Sequence, residues 1–111
     1  MKLYRIFIPK CYNDGKKIET KKIREVLENI RKRFGSYSLN PLATLPLIQG
    51  VWTSDSTNKI YREQVFMVEL FVQDTFDNQK WLKSFREIVR QELHQEEIFI
   101  IVQDAEIIYE K

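Results

Sequence analysis

The sequence is poor in the residues that bind metals or form disulfides. It has one cysteine, Cys11, and one histidine, His94, in 111 residues. A lone cysteine cannot form an intramolecular disulfide, and one cysteine with one histidine is too small a set for a zinc or iron–sulfur site. We therefore expect no metal and no bound cofactor, and we predict that the chain works in the reducing cytoplasm.

Glycine is scarce as well, with only Gly15, Gly35 and Gly50 in the chain. Loops that cradle the phosphates of ATP or of a dinucleotide need several closely spaced glycines, and none is present. No serine stands in the Gly-x-Ser-x-Gly setting of a hydrolase nucleophile elbow. These absences favour a protein that is not an enzyme.

Long apolar runs are also missing. The longest, residues 98–102, has five residues, whereas a helix needs about 20 to span a bilayer. The apolar N-terminal stretch is too short and too interrupted for a signal peptide. We expect neither a membrane span nor a secretory leader.

The composition is that of an ordinary globular domain, with 43% hydrophobic and 31% charged residues. The length matches one hydrophobic core, so we predict a single domain over residues 1–111. Hydrophobic periodicity predicts four strands and two helices in the order βαββαβ. The predicted strands span residues 3–8, 48–54, 60–73 and 98–103. The first predicted helix spans residues 20–34, and the second starts at capping residues within 74–77 and ends near residues 94–95.

Capping residues mark the ends of both predicted helices. Thr20 is the predicted N-cap of the first helix and Gly35 its left-handed exit, whereas residues 74–77 offer caps for the second. Pro41 and Pro46 interrupt residues 36–49, which we predict to be an apolar loop with a short strand at either end. Its leucines could cap the core or form a rim that binds a partner.

The order of elements predicts an α+β fold of the ferredoxin-like type. Two right-handed crossovers that share a hairpin give an antiparallel sheet in which the four strands, numbered along the chain, lie in the order 4-1-3-2. Both helices then cover one face of the sheet. The other face of a monomer should be polar, because it would meet water.

That second face is predicted to be apolar, which favours a homo-oligomer, a dimer or a trimer, that assembles through it. A small-molecule ligand between subunits is the related expectation. The alternative is that residues 36–49 and the tail 105–111 fold over the sheet. The predicted interface residues are Val65, Met67, Phe71, Phe99 and Ile101.

Charge is divided unevenly along the chain. Residues 1–35 carry 11 basic and 4 acidic side chains, a balance of +7, and the other 76 carry 7 basic and 12 acidic, a balance of −5. The basic part could bind an anionic partner or could be a solvated helix face. Nucleic-acid binding by the first helix is an alternative, although residues 65–71 lack the RNP1 pattern. The candidate anion-binding residues are Lys16, Lys17, Lys21, Lys22, Arg31, Lys32 and Arg33.

The order of elements, the length and the apolar sheet face resemble the plan of dimeric α/β-barrel monooxygenases. In the haem-degrading branch of that family asparagine, tryptophan and histidine line a pocket between helices and sheet. The first predicted strand here has no asparagine, and Trp52, Trp81 and His94 are the residues of the other two types. The order is also similar to that of PII-type and ACT-type regulatory modules, which oligomerise and bind small effectors. From the sequence we predict a non-enzymatic homo-oligomeric binding or regulatory module, with a monooxygenase as the enzymatic alternative.

Overall fold

The computed structural model describes residues 1–39, 48–53 and 60–108, with side chains for 1–39 and 65–108. Two helices and five strands are present in these ranges. None of the helices there is long and apolar enough to cross a membrane. The elements are β1 (Lys2–Pro9), α1 (Thr20–Phe34), β2 (Ser38–Leu39), β3 (Ile48–Thr53), β4 (Ile60–Val72), α2 (Phe76–Glu92) and β5 (Ile100–Asp104).

All strand pairs in the single sheet are antiparallel. The strand order is β2-β4-β1-β5, and β3 pairs with the same strand, β4, as β2 does. The 13 residues of β4 are long enough to pair with β3 over residues 60–65 and with β2 at residues 68–69. Apart from the two-residue β2, this is the predicted 4-1-3-2 order, and the ferredoxin-like α+β fold is confirmed.

One hydrophobic core fills the space between the sheet and the two helices. Alternate residues of β1 and β4 point into it, and the buried stripes of α1 and α2 close it from above. Both helices therefore lie on one face of the sheet, as predicted. The most deeply buried side chains are Ile6, Ile8, Ile18, Val26, Ile30, Val68, Val72, Val89, Leu93 and Ile98.

Helix α1 spans the predicted residues, but its N-cap lies one residue before the predicted one. Glu19 is the N-cap, Thr20 is already helical, and no side chain caps the helix. The Glu19 carbonyl accepts from the backbone N–H of Lys22 at 3.0 Å instead. The predicted exit is confirmed, since Gly35 has φ +84° and donates its N–H to the Arg31 carbonyl at 2.7 Å.

Helix α2 has a side-chain cap where the sequence placed capping residues. Thr75 is the N-cap, and its Oγ1 accepts from the backbone N–H of Asn78 at 3.1 Å. This bond satisfies one of the donors that a helix leaves free in its first turn. Asp77 adds a favourable negative charge at the same end.

Thr75→Ala is expected to lower the free energy of unfolding by about 1 kcal/mol, because the Asn78 N–H loses its acceptor. Thermal unfolding followed by circular dichroism measures the change. Ser84→Ala, at an exposed position within the same helix, is the matched control and should change stability by less than about 0.5 kcal/mol. Equal losses in the two variants would contradict the role of the cap.

The apolar stripe of α2 is narrower than the periodicity predicted. Leu82, Phe85 and Val89 are buried, but Ile88 is half exposed. Ile88 is one position from Val89 and therefore lies about 100° away around the helix, at the margin of the contact with the sheet. Trp81 lies on a flank, half-buried, with its ring stacked on Phe85 at 5.0 Å between centroids.

The last strand begins later than predicted. Ile98 is buried in the core as part of the connection from α2, and its carbonyl accepts from Arg86 Nε at 3.0 Å. Phe99 keeps a ladder bond to Phe7 at 3.0 Å, and regular pairing starts at Ile100. Residues 40–47, 54–59 and 109–111, which include most of the predicted apolar loop and the hairpin turn, lie outside the described residues.

Candidate functional site

The sheet has one face that neither helix covers. Along β1 the side chains that alternate with the buried Tyr4, Ile6 and Ile8 point to this second side, and the strand register extends the same side across β4 and β5. We call it the open face. Its described side chains are Leu3, Arg5, Phe7, Val65, Met67, Glu69, Phe71, Phe99, Ile101 and Gln103.

A polar group lies at the centre of the open face. Arg5 and Glu69 are directly opposite each other in the β1–β4 ladder, and Arg5 Nε lies 3.3 Å from Glu69 Oε2. Arg5 also donates from its terminal nitrogen to Gln103 Oε1 at 2.7 Å. The guanidinium is therefore held between two strands by two acceptors. About a third of each side chain of the ion pair is exposed, so the group is open to a partner or a ligand.

Large apolar side chains surround this polar centre. Phe71 and Phe99 are each 52% exposed, and Ile101 is 48% exposed. Met67 and Val65 also lie on the open face and are half-buried. All five residues predicted as an interface thus lie on one continuous surface.

The seven basic residues proposed for an anionic partner do not form one cluster. Four of them lie around the start of α1, and Arg31, Lys32 and Arg33 lie in its last turn. Eleven helical residues separate Lys21 from Lys32, which is about 16 Å at 1.5 Å per residue. Arg31 donates to Glu28 at 2.9 Å, so part of the second cluster is already neutralised. One extended anion would have to follow the whole helix to contact both clusters.

A second polar group lies in a concave surface between the β1–α1 loop and the end of α2. Tyr12 donates its phenol O–H to the Glu19 carboxylate, and Lys22 Nζ donates to the phenol oxygen at 3.1 Å. The rings of Tyr12 and His94 are 5.7 Å apart, and Lys16 also lines the cavity. The phenol bond, more than any other contact, lowers the pKa of Glu19 and raises the pKa of Lys22.

Tyr12→Phe is expected to raise the pKa of Glu19 and lower the pKa of Lys22 toward their usual values, because both charged side chains lose their bond to the phenol. The pKa of Glu19 is lower in the folded state than in the unfolded chain. Its hydrogen bond therefore stabilises the fold at pH values above the unfolded-state pKa, and this contribution is lost as the pH falls through the folded-state pKa. Titration of both side chains by NMR measures the shifts. Tyr37→Phe is the control, and an unchanged Glu19 pKa in Tyr12→Phe would contradict the assignment.

The residues that resemble a haem pocket are not brought together. Trp81 lies in the second turn of α2 and His94 lies after its last residue, Glu92, so eleven helical positions, or about 16 Å, already separate Trp81 from the end of the helix. Trp81 also contacts Phe34 edge to face at 5.2 Å and belongs to the helix-packing layer. The side chain of Trp52 lies outside the described ones. No group of three metal-ligating side chains occurs among the described residues.

Two contacts of Arg5 could not be found from the sequence. Period-two alternation places Arg5 on one face of β1, but only the register shows that Glu69 is directly opposite and Gln103 within reach on the other side. Tyr12 was likewise missed, because its partners Glu19 and Lys22 are joined to it by a loop of irregular conformation. Opposite charges on neighbouring predicted strands were the available signal for the first pair.

No protein-family model matches the sequence, and no curated protein sequence matches it significantly. Solved structures of a phage SAM lyase are similar in fold. One, in complex with S-methyl-5'-thioadenosine, has a TM-score of 0.67 and 17% sequence identity, and the match covers 93% of this chain and 80% of that chain. The apo form has a TM-score of 0.58 at 18% identity, over 92% of this chain and 78% of that chain. The chain therefore shares the fold of these phage proteins.

Proposed function

We propose that this protein self-associates through its open face and acts as a homo-oligomeric module that binds a small ligand where the copies meet. The observation that supports this is the half-exposed apolar surface of Phe71, Phe99 and Ile101 around a polar centre. Contiguous exposed apolar surface of this kind usually marks an interaction site. Because a twofold contact uses the same patch of both copies, the Arg5–Glu69 pair of each copy would lie in the interface.

The solution mass of the purified chain, measured by light scattering over a range of concentrations, tests this proposal. We expect a mass that is a multiple of the 13.4 kDa chain. A constant mass of 13.4 kDa at every concentration would refute self-association. The experiment needs no knowledge of the ligand.

Cleavage of SAM (S-adenosylmethionine) is a second candidate function, and the likeness in fold to a SAM lyase favours it. The substrate is a sulfonium cation that carries adenosyl, methyl and amino-acid groups. Release of S-methyl-5'-thioadenosine breaks the bond from sulfur to the four-carbon amino-acid group. Sulfur keeps the electron pair of that bond and becomes neutral, while the four-carbon group closes on its own carboxylate or loses a proton.

The open face carries side chains of the types that such a ligand needs. The half-buried carboxylate of Glu69, which pairs with Arg5 in the free chain, would face the sulfonium charge in place of the guanidinium, since an opposite charge in a partly desolvated site interacts strongly. Phe71 and Phe99 expose aromatic rings on which an adenine base could stack. Self-association would enclose these groups and exclude water from them.

Incubation of the protein with SAM, followed by chromatography, tests this second function. We expect S-methyl-5'-thioadenosine to accumulate faster with the wild-type protein than in buffer alone. With the Glu69→Gln variant we expect the rate to fall to that in buffer. Glu87→Gln is the matched control, because Glu87 is a carboxylate paired with Arg90 on the exposed side of α2. If SAM is stable in the presence of the wild-type protein, the enzymatic function is wrong, and the binding module remains to be tested with S-methyl-5'-thioadenosine as the probe.

A further inference from the structure

Strand β5 forms one edge of the sheet. It pairs with β1 on one side, and no strand among the described residues pairs with its other side. Exposed strand edges are usually protected by lysine, proline or a bulge, because their free backbone groups pair readily with another chain. Residues 100–104, Ile-Ile-Val-Gln-Asp, contain neither lysine nor proline.

The free backbone groups of β5 belong to alternate residues. Phe99 and Ala105 make their backbone bonds to β1, through Phe7 and Met1 respectively. Bonds alternate along an antiparallel ladder, so the odd-numbered residues of β5 point their N–H and C=O groups toward β1. The even-numbered residues, Ile100 and Val102 among them, therefore point these groups outward.

A groove runs beside this free edge, between β5 and α2. Its cavity has a volume of about 300 Å³, and its apolar floor includes Leu82, Ile100 and Val102. Val102 is 47% exposed although it is on the side of the sheet that the helices cover. Four charged residues also line the groove: Lys83 and Arg86 of α2, Lys2 of β1, and Asp74. Arg86 is paired with Glu97, whereas Lys83 makes no ion pair among the described residues, so the positive charge available on the helix side is that of Lys83.

We propose that β5 pairs antiparallel with β5 of a second copy, centred on Val102, to form a continuous sheet across a twofold axis. In this register Val102 lies opposite Val102 of the second copy, and Ile100 lies opposite Asp104 of the second copy. Every outward-pointing residue of β5 then has a backbone partner. This interface is distinct from the open face, and the proposal is independent of the one made above for that face.

Charge complementarity is the reason to choose a second copy as the partner. The register brings Asp104 of one copy beside Ile100 of the other, where Lys83 lines the groove. The Asp104 side chain pairs with Lys2 of its own copy but is still 88% exposed, and Glu106, two residues on, makes no ion pair among the described residues. The acidic end of β5 thus meets the basic groove of the other copy, and the twofold axis repeats the contact.

Disulfide trapping tests the register directly in the full chain. In a Cys11→Ser background, Val102→Cys would place two cysteines directly opposite, at about 5.5 Å between Cα atoms, within the range that a disulfide spans. Ile100→Cys is the matched control, since its two copies would be about 14 Å apart, four residues along the strand. Under mild oxidation we expect a covalent dimer of the first variant and monomer for the second. Equal yields for the two variants, or none for Val102→Cys, would overturn the proposal.

Solution mass provides the second test, measured in a Met67→Glu background that disrupts contacts through the open face. Val102→Pro removes an outward N–H without taking a bond from the β1 ladder, and edge strands tolerate proline. We expect it to halve the mass from twice 13.4 kDa, whereas Val102→Thr, which keeps the N–H, should stay dimeric. Pairing through β5 would be refuted if the Met67→Glu protein were already a monomer, or if adding Val102→Pro left the protein folded and its mass unchanged. Neither outcome bears on the open face.

Discussion

Met67→Glu is expected to weaken self-association of the wild-type protein by roughly a hundredfold, seen as a lower solution mass at a given concentration. Met67 lies on the open face, opposite Phe7 in the β1–β4 ladder. A second copy packed on this face would bury the new carboxylate without a partner and close to Glu69, the next residue on the same face of β4. Burying an unpaired charge costs about 3 kcal/mol or more, and each 1.4 kcal/mol is a factor of ten in Kd.

Phe76→Glu is the matched control for that measurement. Phe76 is a large apolar residue with 77% exposure, but it lies in the first turn of α2, away from the open face. The substitution makes the same change in charge at a position outside the open face, so it should leave the solution mass as it is. If both variants lower the mass equally, or Met67→Glu leaves it unchanged, the open face is not the interface.

Phe85→Ala is expected to cause the largest loss of stability, about 3–5 kcal/mol. Phe85 is 4% exposed, belongs to the core beneath α2, and stacks on Trp81 with an angle of 11° between the rings. Its removal leaves a cavity and deprives Trp81 of its stacking partner. Domains of this size have a total stability of about 5–15 kcal/mol, so this is a large part of the whole. We expect the temperature at the midpoint of thermal unfolding to fall by about 15 °C.

Ile88→Ala is the control for Phe85→Ala, because it removes apolar atoms from the same helix one turn further along. Ile88 is half exposed, so most of its side chain already contacts water and no closed cavity forms. We expect a loss of less than about 1 kcal/mol. Similar losses in the two variants would mean that the sheet-facing stripe of α2 has been assigned to the wrong residues.

The elements and their order were predictable because each depends on local patterns. Alternation along residues 3–8 and the i, i+3, i+4 stripe of α2 are properties of neighbouring residues, and turn or capping residues mark the ends. One helix cap and one strand boundary were wrong, for local reasons as well. Thr20 could serve as a cap by residue type, but the chain enters the helix through the backbone of Glu19. Ile98, the predicted first residue of the last strand, is buried in the core, and β5 begins two residues later, at Ile100.

The face that carries the candidate site was also predictable, but its polar centre was not. Apolar residues on both sides of a strand whose sheet has helices on only one side indicate a second contact surface. Arg5, by contrast, becomes part of a site only through Glu69 and Gln103, 64 and 98 residues away in the chain. No short-range pattern specifies such a contact, because the strand register decides it.

The amino-acid sequence by itself determined the α+β class, the order of the elements and the apolar character of the open face. These follow from periodicity and from the small number of ways in which βαββαβ can form one sheet. The tertiary structure alone decided which charges meet across the strands and that Tyr12 binds Glu19 and Lys22. The physical reason is distance along the chain: local propensities shape each element, but contacts between elements exist only after the core has packed them together.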